Sequence, residues 1–75
     1  MKITAETGKW AAQYVNEFVI SIDMPEGSTV LDVVNAIKIP EDEAGLAVLG
    51  GKAVTKEYVL SDGDSIKLFP MVLGG

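Results

Sequence analysis

Three short clusters in this chain carry residue types that chemistry uses. Asp62 and Asp64 flank Gly63, and two carboxylates that close suggest a metal ligand pair or a general acid and base. No third ligand stands near them, and Asp62-Gly63 is a strong turn signal because glycine supplies the positive φ such turns require. A turn whose aspartates accept from local backbone N–H groups is therefore expected. Glu41-Asp42-Glu43 has too few oxygen donors at suitable spacing for a calcium loop and reads as a solvated turn. Gly50-Gly51-Lys52 lacks the full spacing and the Ser or Thr of a phosphate loop, so it reads as a hairpin turn.

The fourth candidate lies in the main chain. The sequence closes on Gly74-Gly75, and the α-carboxylate of Gly75 becomes reactive only when activated. A carboxylate is a poor electrophile at neutral pH, so acyl transfer needs an acyl-phosphate or acyl-adenylate formed inside another protein. Glycine has no Cβ, which lets backbone pass a narrow channel and approach a nucleotide closely. Pro70 cannot donate a ladder hydrogen bond, so the last strand is expected to stop there. Residues 1–70 then form the domain and residues 71–75 a flexible tail, which spans roughly 16–18 Å if extended. Met71, Val72 and Leu73 are apolar on a segment expected to be exposed, which calls for a partner that covers them.

Composition removes most other functions. The chain has 75 residues, one domain's worth, with no cysteine and no histidine. It therefore has no disulfide, no thiolate and no ready general base near neutral pH. Intrinsic catalysis is not expected, and neither is a bound cofactor or metal. Formal net charge is −5, and all six basic residues are lysine, which argues against a nucleic-acid partner. The apolar runs fall short of the roughly 18–20 residues that span a bilayer, and the N-terminus lacks a signal peptide's pattern. A cytoplasmic protein away from membranes is expected.

The elements that hold this tail read as follows. Met1 to Ala5 alternates as a strand with Met1, Ile3 and Ala5 on one face. Trp10 to Val15 is ambiguous, with Trp10 a packing residue at a loop edge. Glu17 to Met24 forms a second strand, paired with the first. Thr29 caps a helix running to about Lys38, with Asp32 at N3 and Val30, Val33, Val34 and Ile37 as the buried stripe. Ile39-Pro40 closes it, because the residue before proline is pushed out of the helical region. Leu46 to Leu49 reads as a buried strand, Lys52 to Val54 as its short return and Thr55 to Tyr58 as a loop. Ser65 to Phe69 is the final strand. If Ile66 and Leu68 pack on the helix, Phe69 stands on the open face of the sheet as a partner contact. Both end strands are expected at the sheet's centre, in an α+β roll with its helix on one face.

Order and tail together resemble the ubiquitin-like β-grasp sulfur carriers of the MoaD/ThiS type, most nearly the small subunit of molybdopterin synthase. The matching residues are Leu60-Ser61-Asp62-Gly63-Asp64-Ser65-Ile66, then Phe69-Pro70, Val72 and Gly74-Gly75. A weaker match is Pro25-Glu26-Gly27-Ser28-Thr29-Val30 at the helix start. The resemblance implies a mixed sheet of four to five strands on one main helix. It also implies a ubiquitin-activating-like adenylyltransferase of the MoeB/ThiF type, which uses ATP on the terminal carboxylate. A sulfur donor then leaves a thiocarboxylate on Gly75, with Gly74 giving slim access. A larger synthase subunit is the second implied partner, and Phe69, Met71, Val72 and Leu73 are the docking candidates. Gly8 to Asn16 replaces the usual N-terminal continuation, and Met71 stands where a second proline is frequent. These departures leave the product open between molybdopterin, thiamin and another sulfur compound. Two other classes stay open, a modifier joined to target lysines and an interaction module without acyl chemistry.

Overall fold

The computed structural model describes residues 1–71. Its strands are β1 (Lys2–Glu6), β2 (Val19–Asp23), β3 (Ala44–Leu49), β4 (Lys52–Val54) and β5 (Ser65–Pro70). They form one sheet in the order β2-β1-β5-β3-β4, packed on the helix α1 (Val30–Ala36). Lys9–Ala11 and Glu41–Glu43 add single 3-10 turns. β1 and β5 run parallel from Thr4↔Ser65 to Glu6↔Lys67, while β1–β2, β3–β4 and β3–β5 are antiparallel. This is the mixed sheet on one helix of a ubiquitin-like β-grasp, with both end strands at the centre as expected.

Alternation decides the faces. Ile3 and Ala5 of β1 and Ile66 and Leu68 of β5 are buried with Val30, Val33 and Val34 of α1 in one core. Lys2, Thr4 and Glu6 fall on the other side of the pleat, as do Ser65, Lys67 and Phe69. β1 runs one residue later than the Met1 to Ala5 reading, without changing its buried face.

The start of α1 is over-determined. Thr29 Oγ1 accepts from the Asp32 N–H at 3.2 Å, and Asp32 Oδ2 accepts from the Thr29 N–H at 2.9 Å, a reciprocal capping box. The next two free donors go elsewhere: the Val30 N–H to the Tyr58 carbonyl at 3.1 Å and the Leu31 N–H to that of Lys56 at 2.9 Å. Thr55 to Tyr58, read as a plain loop, thus closes the helix terminus.

The end of α1 falls short of the expected Lys38. Lys38 takes a φ of 66°, the left-handed conformation usual just past a helix end. The Ile39 N–H then donates to Val34 at 3.2 Å and the Lys38 N–H to Asn35 at 3.1 Å, the two bonds of a Schellman motif. The stop comes from Lys38, ahead of the constraint Pro40 places on Ile39. A non-glycine residue there costs about 1–2 kcal/mol, and burial of both Val34 and Ile39 in the core offsets it. No helix among the described residues is long and apolar enough to cross a membrane.

Candidate functional site

The open face of the sheet changes character along β5. At its middle, Lys67 Nζ lies 3.9 Å from Glu6 Oε2 across the β1–β5 pair. Toward the outer edge, Lys2 Nζ lies 3.4 Å from Asp23 Oδ1 across β1–β2. Both pairs are solvated, and such pairs contribute about 0–1 kcal/mol.

At the far end of β5 the face turns apolar. Phe69 is 44% exposed although Ile66 and Leu68 on the same strand are 0% and 3% exposed. The side chain therefore points away from the core, as the alternation requires. Opposite Phe69 in the β3–β5 register stands Leu46, itself 46% exposed. Leu46 was expected inside a buried strand. An unbroken run of Leu46-Ala47-Val48-Leu49 carries no alternation to read, so only the register against β5 assigns its faces. β3 also begins at Ala44, two residues before the expected start, with a bulge between Ala44 and Leu46.

Met71 completes this end and is 44% exposed. Its N–H donates to the Glu43 carbonyl at 3.0 Å, so the first residue of the expected tail is still held to the sheet. Pro70 pairs with Ala44 inside β5, which carries the strand one residue past the expected stop at Phe69. A proline at the end of a strand loses one donor but keeps its carbonyl. Gly45, Leu46, Phe69, Pro70 and Met71 line an open apolar groove of about 400 Å³. Nothing in that lining is a nucleophile, acid or base, so the groove can hold a partner's side chain but cannot react with it. Val72, Leu73, Gly74 and Gly75, the remaining sequence candidates, lie outside the described residues.

The opposite end of β5 uses its polar groups on the chain itself. Asp64 Oδ2 accepts from the Ser61 N–H at 2.8 Å, the expected local bond. Asp62 does something else: its Oδ1 accepts from the Lys2 N–H at 2.7 Å, joining the turn to β1. The Gly63 N–H donates to the Lys2 carbonyl at 2.8 Å and the Thr4 N–H to that of Asp64 at 3.0 Å. Gly63, at a φ of 87°, makes this turn possible. Both carboxylates thus have structural work, and the Leu60 to Ile66 motif aligns β5 beside β1.

The β-grasp fold agrees with the family the sequence matches. The Mut7-C ubiquitin family model matches residues 3–73. The chain is a member of the Mut7-C ubiquitin family. The ubiquitin-like resemblance carried by Leu60 to Ile66 therefore holds. Among solved structures, the chain is similar to a putative molybdopterin converting factor subunit 1 from Pyrococcus furiosus. Identity is 24% and TM-score 0.76, covering 96% of this chain and 99% of that one. Small archaeal modifier protein 1 of Haloferax volcanii is similar at 17% identity and TM-score 0.72, over 95% of this chain and 98% of that one. A complex of subunits 1 and 2 of the molybdopterin-converting factor from Helicobacter pylori 26695 matches at 20% identity and TM-score 0.64, with 100% of both chains covered. At these identities the likeness concerns the fold. No curated protein is significantly similar to the chain in sequence.

Proposed function

We propose that this ubiquitin-like domain is a sulfur carrier whose working group is the α-carboxylate of Gly75. The observation that carries the reading is the exposed Phe69–Leu46–Met71 patch at the root of a segment ending in Gly74-Gly75. A partner that activates the terminus needs a surface to grip close to it, and the patch is that surface. In the activating step a carboxylate oxygen attacks the α-phosphorus of ATP and pyrophosphate leaves. A sulfur nucleophile at the oxidation level of sulfide then attacks the acyl carbon, AMP leaves, and Gly75 carries a thiocarboxylate. ATP is consumed by the partner, an adenylyltransferase of the MoeB/ThiF type, and the carrier acts as co-substrate in the cytoplasm.

Molybdopterin assembly is the favoured destination, with a larger synthase subunit receiving Phe69, Met71, Val72 and Leu73 around Gly74. The similarity to a molybdopterin converting factor subunit 1 supports this choice. The similarity to a small archaeal modifier protein supports a second reading, in which the same acyl-adenylate passes to lysines of target proteins. Intact-mass measurement of the chain from its host, and after incubation with ATP, the host's activating enzyme and a sulfur donor, separates the two. Exchange of one carboxylate oxygen for sulfur supports the carrier, and branched Gly-Gly remnants on digested partners support the modifier. A chain left unchanged in every case overturns both. Gly75 must be the last residue of the mature protein, which the same mass checks.

A further inference from the structure

Gly45 sits in the bulge of β3, between the pairs Ala44↔Pro70 and Leu46↔Phe69. A Cβ built on it would lie 2.7 Å from Met71 Cα and 3.0 Å from both Met71 N and the Pro70 carbonyl oxygen. All three are backbone atoms, so no side-chain rotation relieves the overlap. Its backbone does not demand glycine either, because the glycines with positive φ are Gly27, Gly50, Gly51 and Gly63. Space is the reason, and the space is taken by the start of the tail. Beside this contact the Met71 N–H reaches the Glu43 carbonyl at 3.0 Å, a bond a proline at that position would lack.

We infer that Gly45 is a positioning residue for the tail. Its missing side chain lets the backbone of Met71 pack on the bulge and keep the bond to Glu43, which sets the point from which the tail starts. The inference rests on the reading of Gly75 as the acylated group. A tail that starts from the wrong place presents its carboxylate to the activating site at the wrong angle, while Phe69 and Leu46 of the apolar patch still grip the partner. The defect then falls on kcat rather than KM.

The test compares three full-length variants with the wild type. Gly45→Ala adds the obstructing Cβ, and a semisynthetic chain with an ester in place of the Pro70–Met71 amide removes the N–H from the tail side while Gly45 and the Met71 side chain stay intact. Gly27→Ala is the control: it strains a residue at φ +85° whose Cβ would meet nothing within 4 Å. Two quantities are read, ATP–pyrophosphate exchange with the host's activating enzyme and NMR hydrogen exchange at the Met71 amide. In Gly45→Ala the Met71 amide exchanges about tenfold faster or more, with Ile66 no more affected than in the control. Its kcat falls by about ten- to a hundredfold with KM within about twofold. The ester chain shows the same kcat loss, and Gly27→Ala retains wild-type kcat. Wild-type kcat in Gly45→Ala overturns the inference, whatever the amide does. Should Gly45→Ala not fold, the ester chain decides by its kcat in the same way. Should the wild type support no exchange reaction, the carboxylate reading falls. The Met71 amide in Gly45→Ala then decides alone, lost protection upholding the positioning role and kept protection overturning it.

Discussion

The two ends of β5 are built on opposite principles. At Ser61 to Asp64 the polar groups are turned inward on the chain: Asp62 and Gly63 bond Lys2, Asp64 bonds Ser61, and Thr4 bonds Asp64. At Phe69 to Met71 two large apolar side chains, Phe69 and Met71, stand in solvent beside Leu46 of β3, with one backbone bond from Met71 to Glu43 behind them. A folded domain gains nothing from apolar surface held in water, and under the proposed function a partner covers that end. The closed end stabilises the fold, and the open end is the grip that the proposed function assigns to a partner. One strand thus links a structural latch to the proposed docking surface, and the core residues Ile66 and Leu68 lie between them.

Perturbing each end separately tests this division. The largest effect is expected from deleting Gly75: acyl transfer to sulfur is abolished and the thermal midpoint is unchanged, as mass spectrometry and calorimetry would show. Transfer by the truncated chain would remove the distinction altogether. Phe69→Asp should come next, weakening binding to the activating enzyme by about 2 kcal/mol or more, in the range of a hot-spot residue. Unfolding in urea should barely change, because the side chain is not in the core. Asp62→Ala reverses that pattern. Its loss leaves the Lys2 N–H without its carboxylate partner and should cost about 1–2 kcal/mol of stability, measured by urea unfolding, with binding intact. Lys67→Ala, midway along the open face, should change stability by no more than about 0.5 kcal/mol. A larger loss would show that the polar half of this face contributes to folding after all.

Much of this division was legible in the residues. Ile66-Lys67-Leu68-Phe69 alternates cleanly, so once Ile66 and Leu68 face the helix the residues themselves put Phe69 on the open face. Thr29 with Asp32 named the helix start, and Asp62-Gly63 named the turn. Leu46 was not legible, because four apolar residues in a row look buried whichever way they face. Gly45 was not legible either, since the atoms that require a glycine there belong to Pro70 and Met71, far along the chain. The residues suggest a helix end two positions late, because a left-handed lysine carries none of the signal that a glycine would.

What the sequence determined by itself is whatever depends on neighbours along the chain: strand faces set by alternation, the capping box, the turn glycine, and the absence of histidine and cysteine. The tertiary structure alone decided the bulge at Gly45, the exposure of Leu46, the bond from Asp62 to Lys2 and the use of Tyr58 and Lys56 to satisfy the helix start. Each of these is a contact across strands or loops, and a hydrogen bond or a steric limit between distant residues exists only once the sheet's register has brought them together.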